Sequence, residues 1–155
     1  MSDLIAGDGP ALICWDNSDA AERAIQHAAR ILGQGHRAIV LFAYVPTEAA
    51  RGPLGGLGGP DAPIMGVTDA EHLLERGVAA ARAAGLDATG LAVIAERRTS
   101  EIIAALAEEH NAVLIVMGQP KRSQVGRLLL GSVAREVLGL HERPVMLVGP
   151  GRGGN

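Results

Sequence analysis

Short, almost wholly apolar runs alternate with segments of helical period along most of this chain. A run that is apolar at every position must be covered on both faces, which is the condition of a strand inside a parallel sheet sandwiched by helices. Ala11 to Trp15, Ala38 to Val45, Thr89 to Ala95, Ala112 to Met117 and Pro144 to Val148 are therefore read as strands. Ala21, Ala24, Ile25, Ala28 and Leu32 recur at helical spacing and form one face of a first helix. Asn17 or Ser18 caps its start and Gly33 ends it. Thr68-Asp69-Ala70-Glu71 fits a capping box for a second helix, which buries Leu74, Val78 and Ala81 and runs to Gly85. Thr99 or Ser100 opens a third with Ile102, Ile103 and Leu106 turned inward. The fourth begins at Gly131-Ser132, buries Val133 and Val137, and must stop before Pro144. Strict alternation with right-handed crossovers predicts an α/β fold: a single Rossmann-like domain with a five-stranded parallel sheet in flavodoxin-like order and four helices.

A chain of 155 residues has the size of one domain. That domain is expected over 11–149, with loose tails at 1–10 and 150–155. Pro46 to Gly66 is too rich in glycine and proline for a helix and too poor in apolar residues for a strand. It reads as a flexible loop, either a functional lid or a disordered segment. Cys14 is the single cysteine, which excludes disulfides within the chain, fits a reducing compartment and suggests a buried core thiol. No segment approaches the ~18 to 20 consecutive apolar residues of a membrane span, and Met1-Ser2-Asp3-Leu4 lacks a basic start. A soluble, cytoplasmic protein without a membrane partner is expected. A net charge of −3, and Trp15, Phe42 and Tyr44 as the only aromatic residues, argue against nucleic acid as a partner.

In an open α/β sheet, ligands bind beyond the carboxyl ends of the strands, at the point where strand order reverses. The residues that reach this edge are Asp16, Asn17 and Ser18 after the first strand, Tyr44 and Val45 at the end of the second, and Gly118 onward after the fourth. The first and fourth strands are expected to be neighbours there. Asp16 can accept ribose hydroxyls, hold a metal or help cap the helix. Gly118 admits a ligand close to the backbone or makes a tight turn. Gly131-Ser132 offers helix N–H groups to an anion or simply caps the helix. Lys121, Arg122 and Arg127 are solvated loop charges or phosphate partners. No G-x-x-x-x-G-K-[ST] or strand-borne G-x-G-x-x-G is present, nor a G-x-S-x-G elbow. The histidines are scattered, so neither a hydrolytic triad nor a metal cluster is expected.

Three stretches bring these residues together: Val116-Met117-Gly118, then Arg127-Leu128-Leu129-Leu130-Gly131-Ser132-Val133, then Pro144-Val145-Met146-Leu147-Val148. In them the chain resembles the universal stress protein family, relatives of nucleotide-binding α-hydrolases, and the likeness runs from Ala11 to Val148. The family's ATP-binding members carry G-x2-G-x9-G-[ST]. Here Gly118 and Gly131-Ser132 match, while Lys121 occupies the place of the middle glycine. The family's early Asp-Gly-Ser appears as Asp16-Asn17-Ser18. The resemblance implies a nucleotide site of Asp16, Asn17, Ser18, Tyr44, Val45, Met117, Gly118, Lys121, Arg127, Gly131, Ser132 and Val133. Within it Asp16 faces the adenosine, Tyr44 and Val45 border the adenine, and Gly118 and Ser132 flank the phosphates. The implied ligand is ATP or a related adenine nucleotide, with magnesium as its companion.

A side chain at position 121 obstructs backbone approach to phosphate and penalises a left-handed conformation by roughly 1–2 kcal/mol, or about five- to thirtyfold in affinity. Two readings follow. One is a regulatory nucleotide binder with slow or absent hydrolysis; the other is a stress protein with no nucleotide cofactor that acts through dimerisation and an unknown protein partner. A third, an enzyme acting on an adenylated compound, has no base or metal cluster behind it. The last strand, Val145 to Val148, would be an apolar edge, and a homodimer through it is expected.

Overall fold

The apolar runs become strands, buried deepest at the centre of the sheet where helices cover both faces. The computed structural model describes residues 7–52, 62–119 and 132–149. β1 (Ala11–Cys14) is central, paired in parallel with β2 (Arg37–Pro46) on one side and β5 (Leu114–Gly118) on the other. β4 (Asp87–Ile94) lies outside β2, and β6 (Val145–Val148) outside β5. α1 (Asp19–Leu32) and α3 (Val67–Ala83) cover one face, where Ala24, Ile25, Ala28, Ala70 and Leu74 pack on Ile13, Val40 and Phe42. α4 (Thr99–Glu109) and α5 (Ser132–Leu140) cover the other with Ile103, Ala107, Ala134 and Val137 on Leu12, Leu41 and Ile115.

The α/β, doubly wound, parallel character is as expected, and so is the adjacency of the first and fourth long strands. The flavodoxin-like order is not. Numbered along the chain, the five long strands run 3-2-1-4-5, the Rossmann order rather than 2-1-3-4-5. The reason lies in the crossovers. α1 and α3 cross the same face, so two right-handed steps carry the chain outward in one direction before α4 brings it back over the other face.

The Pro46 to Gly66 stretch also departs from its reading. Thr47–Ala50 forms a single helical turn, α2, and Ile64–Met65 forms a two-residue strand, β3, paired with Val45 and Pro46. Among the described residues there are thus six strands and five helices, one strand and one helix more than expected. Residues 53–61 lie outside the described residues, and the lid reading with them. β3 has a definite side. The Trp15 N–H donates to the Leu41 carbonyl and the Val45 N–H to the Pro63 carbonyl, both from odd positions of β2, while even-numbered Tyr44 accepts from Ala95. Alternation therefore puts β3 on the β1 side of β2, in the space above the end of β1.

Smaller differences concern element ends. α3 starts at Val67 with Gly66 as N-cap and no side-chain cap bond, so Thr68 lies inside the helix and does not form the expected box. The Ala70 N–H bonds the Gly66 carbonyl instead. Gly9 and Pro10 belong to the packed body: a Cβ on Gly9 would run into the Asn111 carbonyl, and Val113 donates to the Pro10 carbonyl at 3.0 Å. The remaining tail readings, 1–6 and 150–155, lie outside the described residues. Among the described residues no helix is long and apolar enough to cross a membrane.

Candidate functional site

The chain turns from β1 into α1 through a small hydrogen-bonded knot. Asp16 Oδ1 accepts the Ser18 N–H at 3.0 Å and also the Ser18 hydroxyl. Ser18 Oγ in turn accepts the Ala21 N–H at 3.1 Å, capping α1 as expected. Of the readings of Asp16 the capping one is seen directly, its carboxylate organising the cap, and the residue also lines the crevice beyond the strand ends. Asn17, between them, has φ +61°, in the left-handed region that glycine and asparagine enter most cheaply. Asparagine at this position is therefore compatible with a backbone that would equally suit glycine.

Gly118, at the end of β5, lies directly against the first turn of α1. A Cβ there would stand 2.5 Å from the Ala20 carbonyl carbon, closer still to its oxygen, and 2.9 Å from the Ala21 nitrogen. No positive φ is involved, so the tight-turn reading gives way to close backbone approach. What approaches is the helix that carries Asp16 and Ser18 at its head. Glycine at this position brings the ends of β1 and β5 together.

The result is a cavity of about 260 Å³. Asp16, Met117, Gly118, Ser132 and Val133 line it, with Cys14, Trp15, Ala21, Leu41, Phe42, Ala43, Pro63, Thr99, Ile103, Gln119 and Ala134. Ser132 opens α5, so the positive end of that helix faces the crevice. Asp16 is the one acidic side chain among the described lining residues, and no Lys, Arg or His is among them. No group of metal-ligating side chains occurs among the described residues.

Of the predicted site residues, Asn17 and Ser18 support the cavity from beside it without lining it. Tyr44 and Val45 do not line it either. Tyr44 is 5% exposed on the α1/α3 face, stacked on Phe42 with ring centroids 6.1 Å apart, and Val45 packs with Ala62, Ala95 and Ile102. Strand alternation gives the reason: Leu41 and Ala43 face α4 and α5, and β2 then runs past the cavity to pair with β3. Lys121, Arg127 and Gly131 lie outside the described residues. Pro63, Thr99 and Ile103 went unread. Thr99 was legible as the start of a helix following a strand at the same sheet edge; Pro63 reaches the crevice only through the β2–β3 register.

Cys14 is half-buried and lines the cavity, not the closed core expected of it. Burial, and secondarily the charge of Asp16, pushes its thiol up to about 12. At pH 8 its thiolate is scarce, so alkylation by iodoacetamide should run about a thousandfold slower than for an ordinary exposed cysteine. Mass-spectrometric timing of adduct formation checks this, and a rate near that of glutathione would contradict it.

The universal stress protein family model matches residues 9–149. No curated protein matches the sequence. Among solved structures, the universal stress protein from Archaeoglobus fulgidus is 28% identical at a TM-score of 0.69, over 90% of this chain and 98% of that one. The universal stress protein of that organism in complex with dAMP is 24% identical at a TM-score of 0.64, over 90% and 97% of the two chains. An Arabidopsis thaliana family protein with AMP bound is 15% identical at a TM-score of 0.59, over 91% of each. The last two carry the fold alone. With the family model spanning nearly the whole chain and the crevice built at the expected strand ends, the chain belongs to the universal stress protein family.

Proposed function

We propose that the chain is a regulatory protein that binds ATP or a related adenine nucleotide in the crevice between β1 and β5. The observation that carries this reading is one cavity lined by Asp16, Gly118 and Ser132, with the N-terminus of α5 opening onto it. An apolar wall of Leu41, Ala43, Pro63 and Ile103 suits a base, Asp16 suits ribose hydroxyls, and helix N–H groups suit a phosphate. The family relatives in complex with dAMP and with AMP support the same ligand class. No turnover is assigned, because the described lining residues offer neither a base paired to a nucleophile nor a metal cluster. Calorimetric titration with ATP, with and without magnesium, should show saturable binding. Mass spectrometry of nucleotide released from the purified protein gives an independent reading. Flat titration to millimolar ATP together with nucleotide-free protein would overturn it.

One observation favours a second activity. β6 pairs with β5 on one side only among the described residues, and its four apolar residues are half-buried. An apolar edge of this kind pairs readily with another copy. A homodimer through Val145 to Val148 is the reading, and light scattering at micromolar concentration should report twice the chain mass. Lys121→Gly separates the two activities: a gain in ATP affinity with dimer mass unchanged marks Lys121 as the residue limiting the nucleotide site.

A further inference from the structure

The loop ahead of α4 carries a cation that the site reading leaves unused. Arg98 is the N-cap of α4 and immediately precedes Thr99, which lines the cavity. Its side chain reaches across to α5, where Nη1 stands 3.7 Å from Glu136 Oε1. Glu136 follows Ser132 by four residues, so the two share a helix face about one turn, or ~6 Å, apart.

The two grips on Glu136 differ in strength. Ser100, 2% exposed and the one buried polar residue of the described core, donates its hydroxyl to Glu136 Oε2 at 2.6 Å. That is a short, charge-assisted bond from a side chain that cannot turn to water. The Arg98 contact is long, and the side chains are 71% and 41% exposed. Exposed pairs of this kind contribute little. The carboxylate is thus pinned from the α4 side, while the guanidinium is only loosely held within a side chain's length of the first turn of α5.

Resting on the nucleotide reading above, we propose that Arg98 selects phosphorylated over unphosphorylated ligands, exchanging its loose contact with Glu136 for a phosphate at the α5 N-terminus, with Ser100 holding Glu136 in place. A phosphate accepts a forked guanidinium bond better than a carboxylate at 3.7 Å does. The exchange also offsets the repulsion that Glu136, one turn below, exerts on an anion there.

The test is calorimetric titration of the full chain with adenosine, AMP and ATP, for the wild type and for Arg98→Gln, Arg98→Lys and Glu136→Gln. Arg98→Gln should weaken ATP binding about five- to tenfold and leave adenosine within about twofold, with a shallower salt dependence. Arg98→Lys should restore part of the loss. Glu136→Gln should act with the opposite sign, strengthening ATP several-fold without moving adenosine. If Arg98→Gln binds all three ligands as the wild type does, or loses adenosine and ATP alike, the selecting role is overturned and the nucleotide reading stands. If the wild type binds none of the three, the nucleotide reading fails and takes this inference with it.

Discussion

Gly118→Ala should lower the free energy of unfolding by about 3 kcal/mol or more, and with it the order of the crevice. The added Cβ meets backbone atoms of Ala20 and Ala21, which cannot rotate aside as a side chain would. Relief requires the first turn of α1 to lift off β5, and overpacking of that kind costs about 1–3 kcal/mol where neighbours can yield. For a domain of this size, about 3 kcal/mol corresponds to a drop in Tm of roughly 6–12 °C. Asp16 and Ser18 move with α1, so nucleotide affinity should fall as well. Gly139→Ala is the matched control, since it lies in α5 with nothing within 4 Å of a new Cβ and no positive φ. Relieved of glycine's backbone entropy, that variant should be more stable by up to about 1 kcal/mol. Urea unfolding of both variants checks the pair, and equal midpoints would sink the argument.

The second large effect is a change of sign. Trp15 is 7% exposed, and its indole N–H donates to the Leu73 carbonyl at 2.8 Å, which lays the ring across α3. A Cβ on Gly77 would stand 2.7 to 2.9 Å from ring atoms. In the wild-type background Gly77→Ala should therefore destabilise by about 1–3 kcal/mol, although alanine is the better helix former by about 1 kcal/mol. Trp15→Ala alone should cost about 3–5 kcal/mol through lost burial and the cavity left behind. Once the ring is gone, Gly77→Ala becomes favourable by up to about 1 kcal/mol. A double-mutant cycle read from urea midpoints isolates the coupling, and Gly77→Ala acting identically in both backgrounds would show that the ring is not held as described.

Much of the strand and helix pattern was legible because it is written locally. Leu114 to Met117 is apolar throughout and lies buried between two helical layers, and Ser18 caps the helix it precedes. The short elements escaped for a local reason too: α2 and β3 span four and two residues, too few to show a period, and stand in a stretch crowded with glycine and proline. Of the site, Asp16, Met117, Gly118, Ser132 and Val133 were legible because they follow strand ends or open helices, positions that punctuation in the sequence reveals. Tyr44 and Val45 stand outside the cavity for two different reasons: alternation turns Tyr44 to the α1/α3 face, while Val45, on the same face as Leu41 and Ala43, lies where β2 has already run on to pair with β3.

The layered parallel architecture, the family, and the edge of the sheet where chemistry can occur are all written in the chain itself, because they follow from continuous apolar runs and from residues at their ends. The tertiary structure alone decided the 3-2-1-4-5 order, the placement of β3 on the β1 side of β2, and the reason for glycine at 118. Strand order depends on which face each crossover takes, and both orders bury the same apolar runs equally well. Gly118 is required by the backbone of a helix nearly a hundred residues earlier in the chain, a contact that no local pattern records.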